Sequence, residues 1–301
     1  KDESVKSLYV YASNPVNSVS DTNAIIEGLK REDIFTVVHE RFMTDTAKYA
    51  DIILPATFSV EQSDIYEAYG YCTLATARKL IEPAGESKSD WDTFRLLAEK
   101  MGYDDEYFKL TEDEMLDLVL DNPTDAVKEL SSEERNILKE GGWVNMPFSD
   151  HHVWKTKTGK IQIINESDSE RVPRYTECHG GEYPISLVSV PSEYTLNSIF
   201  NERDDMKNAR GEMKIYINTE DALERGIKNG DDVICYNDIG SVKFKAEVTD
   251  NVAKGAAAAV GVYGHRNFEG GLGVNALQHD RLSDRGAATT MNDNTIDIKL
   301  A

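Results

Sequence analysis

An α/β fold in two parts, a parallel sheet with helical crossovers and then a compact β-barrel carrying a helix, is what this 301-residue sequence predicts. Three observations predict it. The first hundred residues alternate short apolar runs with helical periodicity. Past residue 182 the texture changes to short β-type runs separated by turn signals. The length itself suits two domains at roughly 100–200 residues each.

The elements follow in order. Leu8, Tyr9, Val10, Tyr11 and Ala12 form an apolar strand that runs into the polar loop 13–18. A helix starts near Ser20 or Asp21 and carries Ala24, Ile25, Ile26 and Leu29. Residues 34–39 (IFTVVH) are β-branched and aromatic, as a buried strand requires. A short helical segment over 44–49 leads to a third strand at 51–55. Strands alternating with helices over short connections predict a parallel sheet with right-handed crossovers.

Ser89 caps a helix whose Trp91, Phe94, Leu97, Ala98 and Met101 share a face, and Gly102 ends it. The runs 111–114 (TEDE) and 131–134 (SSEE) both match the capping box, in which hydroxyl and carboxylate reciprocally satisfy free N–H groups. Gly141 and Gly142 stop the second of these helices, and a hairpin turn at 157–160 feeds a strand at 161–164. Strands then fall at 185–190, 214–217, 233–236, 242–248 and 256–262, with one helix from Thr219 to Arg225 capped by Asn218 or Thr219. The alanine run 256–259 favours helix by propensity, but Gly255 and Gly261 bracket it within a β pattern, so it is read as strand. One domain therefore covers 1–156, with a helical extension, and a second covers 157–301, its barrel proper starting near 182.

Composition excludes several classes. Lys plus Arg is 33 against 54 Asp plus Glu, a formal charge of −21, which repels nucleic acid and anionic membranes. At 40% hydrophobic residues the chain can build real cores. No apolar run approaches the ~20 residues that span a bilayer. Cys72, Cys178 and Cys235 are far apart, so neither a disulfide framework nor a cysteine-only metal cluster is written here. The N-terminal KDES has no signal-peptide character and reads as a cut edge; the compartment stays open, with cytoplasm as the default.

Five segments could carry chemistry. Asn14, Pro15 and Ser18 follow a parallel strand, where loop N–H groups and a helix start favour phosphate; the plain alternative is a turn. His39, Glu40 and Thr44 follow the next strand, and Glu40 suits ribose hydroxyls; Thr44 is equally an N-cap and His39 equally a loop histidine. No GxGxxG occurs in the first half, which argues against ordinary NAD binding. Asp90 in a first helical turn is favoured by the dipole, and also offers two acceptors to the two donors of a guanine edge. The polar stretch 189–198 includes Ser192, Asn197 and Ser198, and the glycine-rich loop 261–275 ends at Asn275. Glycines permit close approach to a flat ligand and also simply make turns. His151 and His152 are adjacent, a poor metal pair, and Arg203, Asp204 and Asp205 read as a solvated loop.

Together and in this order, the segments resemble the C-terminal half of molybdopterin oxidoreductases, the dimethyl-sulfoxide-reductase and formate-dehydrogenase superfamily. The resemblance rests on YVYASNP (9–15), on FMTDTAKYADIILPA (42–56) with Glu61, on SDW (89–91) and on KTGKI (157–161). In the second half it rests on NTEDA (218–222), GIKNGD (226–231), VNAL (274–277) and LSDRG (282–286). It implies a Rossmann-like parallel-sheet domain followed by a double-psi β-barrel domain. It also implies a bis(molybdopterin guanine dinucleotide) cofactor carrying molybdenum or tungsten. By this resemblance Asn14, Ser18, His39 and Asp90 line a guanosine diphosphate, with Glu40 and Thr44 in the same loops. Ser192, Asn197 and Ser198 face a pterin or its phosphates, with Asn275 and Asn292 close by. His39 stands where close relatives have Gln, and Glu40 where many have Asp.

The iron–sulfur cysteines and the metal-ligating residue of such enzymes have no counterpart here, and belong to an N-terminal half expected upstream. The reading is thus a cofactor-binding fragment of an enzyme of two-electron or oxygen-atom transfer, inactive alone. Its partners would be its own upstream half and an electron-transfer subunit or redox carrier, with no nucleic acid and no membrane contact. The alternatives are a cofactor-free structural subunit of an electron-transfer complex and, less well matched, a stand-alone nucleotide-binding module.

Overall fold

The computed structural model describes residues 2–67, 70–122, 127–146, 154, 156–167, 170–172, 174–265 and 271–301. His151 and His152 and the middle of the glycine-rich loop, Gly270 included, lie outside the described residues. The chain divides into two compact units, one formed by Lys1–Leu54 with Glu177–Ala301 and the other by Pro55–Thr176.

The first unit opens with a three-stranded sheet in the order β1 (Ser7–Tyr11), β2 (Phe35–Glu40), β3 (Ile52–Pro55). β1 and β2 are parallel, with Tyr9 opposite Val37 and Tyr11 opposite His39. Between them lie α1 (Pro15–Ser18) and α2 (Thr22–Leu29). The loop expected at 13–18 is thus a single helical turn, because Pro15 at its first position has the right φ and no N–H to leave unpaired. Asp21 caps α2 by accepting the Ala24 N–H. Val10, Val38 and Ala47 form the small core beneath the sheet.

The second unit holds an antiparallel sheet of β4 (Asp64–Glu67), β5 (Thr73–Ala77) and β6 (Trp143–Asn145). It packs with α4 (Glu112–Asp121) and α5 (Ser132–Lys139), while α3 (Asp90–Met101) in the same unit contacts the turn at 106–109. Both capping boxes form as the sequence predicts, Thr111 with Glu114 and Ser131 with Glu134. Leu74, Leu116, Leu120, Leu138 and Val144 make the core. Gly159 turns the chain at φ +64, but the strand expected at 161–164 does not form. Ile161, Ile163 and Ile164 lie exposed, and no described strand pairs with them.

The barrel returns to the first unit. β7 (Ile185–Val190), β8 (Lys214–Ile217), β9 (Asp232–Tyr236), β10 (Ser241–Val248), β11 (Ala256–Val260) and β12 (Asn294–Leu300) close in the order β10-β8-β11-β7-β12-β9. β7 with β11 and β8 with β10 are parallel; the other pairs run antiparallel. Alternation along each strand turns Ile185, Leu187, Ile215, Ile217, Val233, Phe244, Ile296 and Ile298 into one interior. β11 is strand, as its glycine brackets predict, and Ala257 lies between Leu187 and Ile217, where a small side chain fits between two large ones. α6 (Asp204–Arg210) occupies the segment read from sequence as a solvated loop, and α7 (Thr219–Glu224) is capped by Asn218. The architecture is the expected one: α/β, with a parallel sheet and a closed barrel. Among the described residues no helix is long and apolar enough to cross a membrane.

Candidate cofactor-binding site

Four loops of the first unit are tied together by side-chain amides and hydroxyls. Asn14, at the start of α1, donates from Nδ2 to Asn17 Oδ1 (2.7 Å) and accepts at Oδ1 from the Thr46 hydroxyl (2.7 Å). Thr46 Oγ1 in turn accepts the Val16 N–H at 3.1 Å. Asn17, nearly fully buried, donates from Nδ2 to the Tyr263 carbonyl (3.0 Å), and its own carbonyl accepts Asn275 Nδ2 at 2.7 Å. The strand-end loop after β1, the 44–47 loop after β2 and two barrel loops therefore form one polar network. Burying so many polar groups is tolerable only when each finds a partner.

A second tie runs beside it. Asp45 accepts from the Lys48 ammonium at Oδ1 and from the His265 N–H at Oδ2 (2.6 Å). Burial alone pushes the Asp45 carboxyl up, but those two donors outweigh it and hold it below its ordinary 3.8. Burial also pushes the His265 imidazole below 6.5, against the pull of Asp45. Two close approaches pin the same region. A Cβ on Gly261 (φ +78) would sit 2.8 Å from Ser192 Cβ, and one on Gly240 would sit 2.4 Å from the Ala276 carbonyl oxygen.

The residues singled out from sequence fall into distinct groups. Asn14 and Asn275 meet through Asn17, as above. Ser18 sits on α1, half-buried, its N–H on the Asn14 carbonyl. His39 is almost fully buried near the end of β2, and Glu40 closes that strand with Oε1 on the Arg41 N–H. Thr44 is buried and its hydroxyl accepts the Ala47 N–H, although the N-cap of the helical turn 47–49 is Thr46, so Thr44 itself is not the cap. Ser192 accepts the Tyr194 N–H; Asn197 is exposed in the left-handed region (φ +51), which Asn tolerates, beside half-buried Ser198. Asn292 is exposed and its Oδ1 accepts the Ser189 N–H of β7. Asp90 belongs to the second unit, in the first turn of α3 after the Ser89 cap. Glu61, in the same unit, is buried and accepts the Phe58 and Ala84 N–H groups.

Asn17, Asp45 and Thr46 were not singled out, although all three lie in quoted motifs. A signal for Asn17 exists: Pro15 at a helix start puts residue 17 within reach of Asn14. Nothing in the sequence announces that Asn17 faces Asn275.

Matches to known families run along the same segments. Residues 1–100 match the molybdopterin oxidoreductase model and residues 185–295 the molydopterin dinucleotide binding domain model. The chain belongs to the molybdopterin oxidoreductase family. Among curated relatives, the probable oxidoreductase YoaE of Bacillus subtilis (strain 168) is 33% identical over 99% of this chain and 45% of its own length. Trimethylamine-N-oxide reductase of Haemophilus influenzae is 29% identical over 84% of this chain and 35% of its own. Acetylene hydratase from Pelobacter acetylenicus has the same fold at a TM-score of 0.78 and 20% identity, over 98% of this chain and 44% of that one. The chain spans about half the length of YoaE and less of the reductase.

The molybdopterin family's dinucleotide is polyanionic and many-edged, and the residues present fit such a group. Among the described residues Asn275 Oδ1 and Thr195 Oγ1 are buried with no hydrogen-bond partner, an arrangement that leaves an amide oxygen and a hydroxyl for a ligand. Thr195 lies in the loop that Gly261 allows to approach the barrel closely, its Oγ1 being 3.7 Å from where a Gly261 Cβ would stand. Among the described residues no three His, Cys, Asp or Glu side chains are grouped as a metal would require.

Proposed function

We propose that this chain helps hold a bis(molybdopterin guanine dinucleotide) cofactor, with molybdenum or tungsten, in an oxidoreductase of two-electron or oxygen-atom transfer. The observation that carries the reading is the buried network Asn14–Asn17–Asn275, which joins both family-matched segments and leaves Asn275 Oδ1 for a ligand. When bound, the cofactor supplies the redox chemistry at its metal. This chain's residues bind and orient. Asn14, Ser18, His39, Glu40 and Thr44 offer neutral and acidic groups to a guanosine diphosphate, and Asp90 offers two acceptors to the guanine edge. Ser192, Thr195, Asn197, Ser198, Asn275 and Asn292 serve the pterin side.

The fragment is silent alone in this reading, since the metal ligand and any iron–sulfur cluster would come from an upstream half. Electrons would pass to or from a redox carrier or an electron-transfer subunit. The test is to produce the full-length protein in a host that makes the dinucleotide, then assay acid-released guanine nucleotide and bound metal. Both are expected in stoichiometric amount. A matured protein with neither would instead be a cofactor-free structural subunit.

A further inference from the structure

A polar cavity opens on the barrel. It has a volume of about 590 Å³, and Arg210, the last residue of α6, lines it with Tyr263, the segment just before β8 and Lys243 to Lys245 of β10. That size falls in the range of small-ligand sites.

Arg210 is unusual among the chain's cations. Its guanidinium stacks on the Tyr263 ring at 3.8 Å and donates from Nη1 to Asn201 Oδ1 (2.7 Å) and the Val262 carbonyl (3.1 Å). Among the described residues no carboxylate pairs with it, and its Nε is buried without a partner. Among the described residues the guanidinium therefore keeps its charge without a counter-ion. Burial lowers the pKa of the guanidinium, as expected for a charge without its counter-ion.

The other charges of the cavity do not supply one. Asp204 is held by Lys207 at 2.7 Å. Asp232 is shared by Lys243 (3.4 Å) and Lys245 (2.7 Å), so two ammonium groups stand against one carboxylate. Glu212 lines the cavity as the opposing charge and leaves the lining cationic by one, in a chain of formal charge −21.

We propose that this cavity is a binding site for a small phosphate-type anion, taken by the Arg210 guanidinium with Lys245 and Lys243 at the rim. The site does not depend on the dinucleotide reading, because none of its lining residues is among those assigned to the cofactor.

The experiment is a calorimetric titration of the full chain with inorganic phosphate and with pyrophosphate at low ionic strength, where screening is weak. Saturable binding is expected, weakened about tenfold or more in Arg210→Gln, as losing charge-assisted hydrogen bonds implies. Arg210→Lys falls between, because it keeps the charge and loses the fork. Lys254→Ala, whose ammonium is engaged by Glu220 and Glu224, leaves binding unchanged. Should Arg210→Gln fail to fold by circular dichroism, Lys245→Glu decides: weaker binding supports the site, and unchanged binding overturns it. Absence of saturable binding to wild type, or equal binding by folded Arg210 variants, would each overturn the proposal.

Discussion

Asn275 Nδ2 donates to the Asn17 carbonyl oxygen at 2.7 Å across 258 residues of sequence, in a region where both side chains are almost fully buried. This bond joins the loop after the first strand to the last loop before β12. Asn275→Ala leaves the Asn17 carbonyl without its donor, and should cost about 1–3 kcal/mol in urea unfolding. Asn275→Asp should cost at least as much, since a carboxylate oxygen then faces a carbonyl.

Acid should unfold the first unit in two steps with different owners. His265 has its pKa depressed, so it favours the folded state fully above 6.5 and loses that contribution as pH falls through its lower folded value. Asp45 is also depressed, so its contribution is present above 3.8 and disappears as pH falls below that. Unfolding free energy measured against pH should fall first below 6.5 and again below 3.8. Asp45→Asn should shrink the second fall, which Asp33, Asp205 and Asp232 share because their carboxyls are also held below the ordinary 3.8, and His265→Asn should abolish the first.

Gly261 holds φ +78, and a Cβ at that position would lie 2.8 Å from Ser192 Cβ. Gly261→Ala should therefore lower stability by about 1–3 kcal/mol, through a left-handed backbone and a displaced Ser192 loop. Thermal unfolding of the variant checks this. An unchanged melting temperature would show that the loop yields without cost.

Ser89 and Asp90 should separate stability from binding. Ser89 Oγ accepts the Asp92 N–H at 3.1 Å, so Ser89→Ala should cost about 0.5–2 kcal/mol of unfolding free energy. Asp90→Asn removes a first-turn carboxylate worth about 0.3–1 kcal/mol against the helix dipole, and should strip guanine nucleotide from the full-length protein. Nucleotide retention measured alongside unfolding distinguishes the two.

Much of this architecture could be read from the amino acids, for reasons visible in particular segments. Strands β1 and β2 and helix α2 announce themselves through concentrated apolar or β-branched runs. The capping boxes at Thr111 and Ser131 are local chemistry, complete within four residues, and so form as written. Long-range pairings were not legible. β5 (TLATA) carries one bulky side chain, and β6 is three residues long and pairs with it from far along the chain. β12 alternates Ile296, Ile298 and Leu300 with charged Asp297 and Lys299, and becomes a barrel strand only because β7 and β9 each offer it an edge. The reverse holds at 161–164, where a strand pattern exists and no described partner meets it. At the site, Asn14 was legible from Asn-Pro after a strand, whereas Asn17 matters through a contact that only the folded chain creates.

The measurement that bears most directly on the dinucleotide-holding role is guanine nucleotide released by acid from full-length protein, compared between wild type and Asn275→Ala. The wild type should release it stoichiometrically, and the folded variant should release markedly less. Equal release from both, or none from matured wild type, would contradict a grip built on the Asn14–Asn17–Asn275 network.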